Sequence, residues 1–241
     1  MNIVQSVCKK YSLSLFAKQK SQQFYYTYSI ISSFGAGEFK DRGSKFLGFA
    51  HPASSPEEAL AKVEEYHKLH HKARHWCYAY RLGPDQNRFR ANDDGEPSGT
   101  AGRPILGQID KLGVSDVVVI VVRYFGGVKL GTSGLINAYR EAAALALAEA
   151  QIGEKVLSQL LQVRFTYELM GKVMNALSSL SLTMANQDFG DRPNLTLDIP
   201  CSEVFSVRRK LLAHIGEAYL EEVDEEFTVE GLSIEVKAAV E

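Results

Sequence analysis

The chain has 241 residues, 45% of them hydrophobic and 23% charged, with a formal net charge of −2. These are globular values, which predict a buried core and exclude a wholly disordered or collagen-like chain. The charge is unevenly spread: residues 1–150 hold 19 Lys and Arg against 14 Asp and Glu, and residues 151–241 hold 8 against 15. The two halves therefore read as separate modules, of which only the first favours polyanions.

Met1–Gln23 carries four lysines, no acidic residue and no long apolar stretch, and reads as a disordered extension rather than a secretory signal. Phe24–Ser32 and Lys45–His51 have strand composition, with Phe34–Gly43 between them as a loop. Ser55-Pro56-Glu57-Glu58 opens a helix with a capping box, and the helix continues toward His71. Strands follow at His75–Leu82 and Arg88–Asn92, then a glycine-rich loop over Asp93–Pro104 and a short helix over Pro104–Leu112. Asp116–Tyr124 is a Val/Ile run without alternation and should be a central strand. A second glycine-rich loop, Arg123–Gly134, leads into a helix over Leu135–Ala150.

After Ile152-Gly153 the pattern restarts. Val156–Tyr167, Thr183–Phe189, Asn194–Ile199 and Glu217–Val223 read as strands, Glu168–Leu180 and a helix capped by Ser202 as helices, and Phe227–Val236 as an added hairpin. The order β-α-β-β-α-β is the ferredoxin-like split arrangement. The expected fold class is α+β in two domains, residues 24–152 and 155–241, preceded by the extension. No apolar run approaches the roughly 20 residues of a membrane-spanning helix. Three cysteines without a C-x-x-C pair exclude a zinc ribbon and argue for a reducing, cytoplasmic setting.

Chemistry concentrates in the two loops. Gly99-Thr-Ala-Gly102 and Gly131-Thr-Ser-Gly134 echo each other, each at a helix start, where turned backbone N–H groups and the helix dipole could cradle an anion. Arg103, Arg123 and Lys129 could add charge; alternatively the glycines only make turns, and Thr100, Thr132 and Ser133 only cap helices. The P-loop spacing is nearly met, but Thr132-Ser133 stands where Lys-Ser/Thr is required, which excludes ordinary nucleotide hydrolysis. Asp93, Asp94 and Glu96 could hold a hard cation, or could simply order a turn. His70, His71, His75 and Cys77 suggest a zinc or Cys–His site, although Cys77 also reads as a buried hydrophobe. Arg123-Tyr124-Phe125 could meet phosphates and bases, or Arg123 could neutralise one of the three carboxylates.

Asp93-Asp-Gly-Glu-Pro-Ser-Gly-Thr-Ala-Gly-Arg-Pro104 followed by Val121-Val-Arg-Tyr-Phe-Gly-Gly-Val-Lys-Leu-Gly131 closely resembles the signature of the IMPACT/YigZ family. Arg42-Gly-Ser-Lys-Phe46 and Ala73-Arg-His75 support the match. The resemblance implies a first domain similar to the fourth domain of elongation factor G, with a ribosomal-protein-like βαβ fold, and a second similar to that factor's ferredoxin-like fifth domain. It points to a non-catalytic protein that binds RNA, the ribosome or a translation factor, without cofactor or membrane, and leaves the oligomeric state open. The expected nucleic-acid or anion contacts are Arg42, Lys45, Arg74, Ser98, Gly99, Thr100, Arg103, Arg123, Tyr124, Gly126, Gly127, Lys129, Thr132 and Ser133. A metal-dependent enzyme acting on a phosphorylated small molecule through Asp93, Asp94 and Glu96 is the competing reading, and a protein-interaction module the third.

Overall fold

The computed structural model describes residues 27–237, so the expected extension over Met1–Gln23 lies outside the described residues. The described residues separate into two compact units, 27–155 and 156–237, each of mixed α and β structure.

The first unit runs β1 (Thr27–Ile31), β2 (Gly35–Asp41), β3 (Ser44–Pro52), α1 (Pro56–Leu69), β4 (His75–Leu82), β5 (Arg88–Asn92), α2 (Gly102–Leu112), β6 (Val117–Tyr124), α3 (Gly131–Glu149) and β7 (Ile152–Val156). Five strands form an antiparallel sheet in the order β2-β3-β6-β4-β5, and β1 pairs with β7 apart from it. As its composition predicts, β6 is central. Val117, Val119 and Val121 enter the core beneath α2 and α3, while Val118, Ile120 and Val122 enter the core beneath α1. A strand buried on both faces has no reason to alternate with polar residues.

The helix start at Ser55 holds: its hydroxyl accepts from the Glu58 N–H at 3.2 Å, although the Glu58 carboxylate reaches back to Ser54 rather than Ser55. The loop expected over Phe34–Gly43 is instead largely β2. Gly43 does make the turn into β3, at φ +77°, but Gly35 and Gly37 are points of close approach. A Cβ on Gly35 would collide with the Ala146 carbonyl, and one on Gly48 of β3 with that of Ala142. Glycine lets α3 lie directly on the sheet through Ala138, Ala142 and Ala146.

The second unit contains β8 (Ser158–Phe165), α4 (Met170–Ser179), β9 (Met184–Asp188), β10 (Asn194–Pro200), α5 (Val204–Gly216) and β11 (Leu232–Lys237). Its strands are antiparallel in the order β11-β8-β10-β9. Leu161, Val163 and Phe165 of β8 and Leu195, Leu197 and Ile199 of β10 share one core with α4 and α5. Three expectations fail here. Glu217–Val223 is not a strand: Glu217 adopts φ +54° at the end of α5, and Leu220–Glu222 forms a 3-10 turn that carries Val223 into the core. The sheet takes its last strand from Leu232–Lys237, so the hairpin expected over Phe227–Val236 does not form. Ser202 does not cap α5, whose N-cap is Glu203 without a side-chain bond.

Candidate anion-binding cleft

The first glycine-rich loop closes on itself. The Asp93 carboxylate accepts hydrogen bonds from the N–H groups of Gly99 at 2.8 Å, Ala101 at 3.0 Å and Gly102 at 2.8 Å. Burial pushes its pKa up, but these three donors and nearby Arg103 outweigh that and hold it below the usual carboxylate value. Thr100 is buried and donates to the Pro97 carbonyl at 2.6 Å. The expectation that this loop cradles an outside anion is therefore corrected, because the chain's own carboxylate occupies the start of α2. Ser98, Gly99 and Thr100 shape that closure, and Arg103 is exposed on the first turn.

The metal reading is corrected for a related reason. Asp93 faces α2; the Asp94 carboxylate accepts from the Trp76 N–H at 2.7 Å; Glu96 turns to Arg123. The three carboxylates serve three different partners, and no cluster of three or more His, Cys, Asp or Glu side chains suited to a metal ion occurs among the described residues.

Arg123, at the end of β6, is 5% exposed, and its Nη1 donates to Glu96 Oε1 at 2.6 Å. The Tyr139 hydroxyl, projecting from α3, donates to the same oxygen at 2.7 Å. Burial drives the Tyr139 phenol far above its ordinary pKa, so it remains a donor. Of the alternatives for Arg123, neutralisation of Glu96 is thus realised. The guanidinium also lies 5.3 Å from the Phe46 ring and 5.5 Å from that of Phe125, within cation–π range. Its Nε is buried without a hydrogen-bond partner.

Cysteine chemistry does not survive. Cys77 is fully buried, burial pushes its thiol well above the ordinary value, and Sγ donates to the Asp93 carbonyl at 3.0 Å. His75 donates from Nδ1 to the Asp94 carbonyl at 2.7 Å, while His70 shares a 3.0 Å hydrogen bond with the Tyr124 hydroxyl and stacks on Tyr66. Tyr66 and Tyr124 belong to the core beneath α1, and Cys77 to the core beneath α2 and α3. The sheet therefore separates His70 from Cys77, and His71 is exposed.

The second loop remains open. α3 starts after Leu130 with no side-chain capping bond and no acidic residue in its first turn. Its beginning borders a cleft of about 710 Å³ lined by Arg74, Glu96, Arg123, Lys129, Gly131 and Thr132 among others. His75 and half-exposed Phe125 also line it. The cleft thus gathers four expected residues, Arg74, Arg123, Lys129 and Thr132, with exposed Ser133 on the same helical turn. It does not include the others. Arg42 is exposed in the β2–β3 turn, Lys45 pairs with Glu38 at 2.7 Å, and Tyr124 faces α1. Gly126 serves the backbone: its N–H donates to Ser44 Oγ at 3.2 Å, and a Cβ there would collide with Gly43. Gly127 adopts φ +88° in the turn beyond it.

One member of the site had no local signal: Tyr139 reaches Glu96 from mid-helix. His75, expected beside Cys77, instead lies 3.8 Å from Glu96, a partner that only the fold supplies. The net positive charge of the first half is largely carried by residues outside the described ones. Lys9, Lys10, Lys18 and Lys20 account for four of the first half's cations, and residues 27–150 hold 15 Lys and Arg against 14 Asp and Glu. The cleft is lined by three of these cations, Arg74, Arg123 and Lys129, and one carboxylate, Glu96.

A family model for the Impact N-terminal domain matches residues 42–147, which takes in both loops and the cleft. The IMPACT family member YvyE of Bacillus subtilis is 36% identical over 152 residues, covering 63% of this chain and 70% of the relative. The family member YigZ of Escherichia coli is 32% identical over 170 residues, covering 70% and 83%. A crystal structure described as that of a hypothetical protein superposes with a TM-score of 0.73 at 26% identity, covering 90% of this chain and all of the other. The chain belongs to the IMPACT family.

Proposed function

We propose that the protein is a non-catalytic RNA- or ribosome-binding member of its family, acting in the regulation of translation in the cytoplasm. The observation that carries this reading is the cleft at the start of α3, where Arg74, Arg123 and Lys129 meet an uncapped helix N-terminus. Such a surface suits phosphate, since the helix start offers oriented N–H groups and the arginines and lysine add formal charge. The link to translation comes from the family and its likeness to elongation factor G. In that reading the first unit corresponds to the factor's fourth domain and the second, with strand order β11-β8-β10-β9, to its ferredoxin-like fifth domain. No helix among the described residues is long and apolar enough to cross a membrane. Catalysis has less support: the Cys77 thiol is buried, and the carboxylates of the first loop are held by protein partners.

Salt-titrated binding to RNA and to ribosomes tests the proposal. Affinity should fall as salt rises, because phosphate contacts release counterions. Charge reversal at exposed Arg74 and Lys129 should weaken binding while the far-UV spectrum and melting temperature stay unchanged. Absence of binding at low salt removes the proposal.

A further inference from the structure

We infer that the open half of the α1 face of the first-unit sheet is a stacking platform for single-stranded RNA, with Phe34 as the ring on which a base lies. The inference rests on the RNA reading above and gives that reading a second surface, on the sheet face opposite α3. It starts from an imbalance between the two faces. On the α3 side, every second residue of β3 from Ser44 to Ala50 is buried. On the other side, Ala36 and Glu38 of β2 and Lys45, Leu47, Phe49 and His51 of β3 are exposed or half-buried. The reason is placement: α1 packs over β4 and β6 and leaves this half of the sheet open.

Aromatic rings are piled on the open half. Tyr66 of α1 stacks on Phe49 at 4.2 Å with 27° between planes, and on His70 at 5.9 Å with 4°. Phe34 continues the pile beyond Phe49, at 6.5 Å and 18°, and packs on His51 at 4.7 Å. Among the described residues the pile ends at Phe34, which is 50% exposed. Ala36 stands directly across from Phe49 in the strand register and is too short to cover its ring. Burial and then Lys62 hold His51 below its ordinary pKa, and burial and then Lys45 do so for His70. Both imidazoles are therefore neutral rings at pH 7. A pile of near-parallel rings with an open end accepts another flat ring, and every nucleobase offers one.

The rim favours a nucleic-acid strand over a protein partner. Lys40 and Lys45 share Glu38, each at 2.7 Å, and Lys62 pairs with Glu65 at 2.9 Å, so three lysines meet two glutamates. A protein closing over the rings would strip water from these ion pairs at a cost. A strand stacked on Phe34 keeps its backbone in water and brings phosphates to a rim with surplus positive charge.

The full chain is titrated with a fluorescein-labelled oligo(A) decamer and with its blunt duplex, over a range of salt. Phe34→Ala should weaken strand binding by about tenfold and leave duplex binding unchanged. The salt slope should also stay unchanged, because loss of the ring removes no phosphate contact. Phe34→Trp guards against a local disturbance of β2: its larger ring should bind the strand at least as tightly as the wild type. Equal strand affinity of Phe34→Ala and the wild type overturns the platform. So does an equal loss of strand and duplex binding, or Phe34→Trp binding as weakly as Phe34→Ala. A wild type that sediments as a dimer and a Phe34→Ala variant that sediments as a monomer assign the face to a second copy and overturn it as well. RNA or ribosome binding that is untouched by Phe34→Ala keeps the broader function and removes the platform alone. Absence of any RNA or ribosome binding at low salt removes both.

Discussion

Glu96 is the residue on which the cleft turns. Its side chain is 4% exposed, and it takes hydrogen bonds from both Arg123 and Tyr139. A buried ion pair is not in itself a source of stability, because both charges were taken from water. Removing one partner is different, since the other charge stays buried. Glu96→Gln should therefore destabilise the protein by about 3 to 5 kcal/mol, measured by urea unfolding followed on first-unit fluorescence. Tyr139→Phe, which leaves the ion pair in place, should cost about 1 kcal/mol. Equal effects of the two variants would show that the ion pair is not the dominant member.

The element that positions the cleft is α3, and the alanines and glycines beneath it decide where it lies. With Gly35 on β2 and Gly48 on β3, its backbone approaches strands that a side chain would hold away. That approach brings Tyr139 to Glu96 and sets Gly131 and Thr132 opposite Arg123 at the cleft. Gly48→Ala should cost about 1 to 3 kcal/mol through overpacking, read from the unfolding midpoint. It should also shift the amide resonances of Gly131–Ser133, because moving the helix moves the cleft. Destabilisation confined to the strand contact, with those amides unmoved, would separate the packing from the site.

Across the molecule, acid stability should be governed by two turns of the first unit, one built on buried Asp116 and one on half-buried Asp93. Asp116, at φ +51°, accepts from the Tyr28 hydroxyl at 2.7 Å, from Lys155 at 2.8 Å and from the Gly83 N–H at 2.8 Å, and so ties β1 and β7 to the turn after β4. Burial raises its pKa, but those three partners outweigh it and leave the value lowered; Asp93 is lowered in the same way. A carboxyl lowered by folding stabilises the native state fully above its unfolded pKa of about 3.9, and that contribution is lost as pH falls through the lower folded value. Melting temperature should accordingly be flat in this respect from pH 7 to about 5 and fall below pH about 4. Asp116→Asn should lower the neutral-pH melting temperature and flatten the acid slope. An unchanged slope in that variant would assign acid sensitivity to other groups.

Local patterns determined much of the architecture. The Val/Ile run of β6 announced a strand buried on both faces, Ser55-Pro56 a helix start, and the two loop motifs the family. These signals are readable because they depend on side-chain periodicity, capping chemistry or residue order within a few positions. Where a glycine serves a neighbour far along the chain, the same reading fails: Gly35 and Gly37 looked like loop residues and lie in β2. The acidic stretch after Glu217 likewise read as a strand, although the sheet is completed by Leu232–Lys237. Most of all, two loops that match in sequence differ in state. Asp93 folds back to cap α2, and no side chain does so for α3. Only the first loop has carboxylates close by in sequence, but which of its three takes the helix start is set by chain paths through space: the fold turns Asp94 to Trp76 and Glu96 to Arg123 and leaves Asp93 for α2.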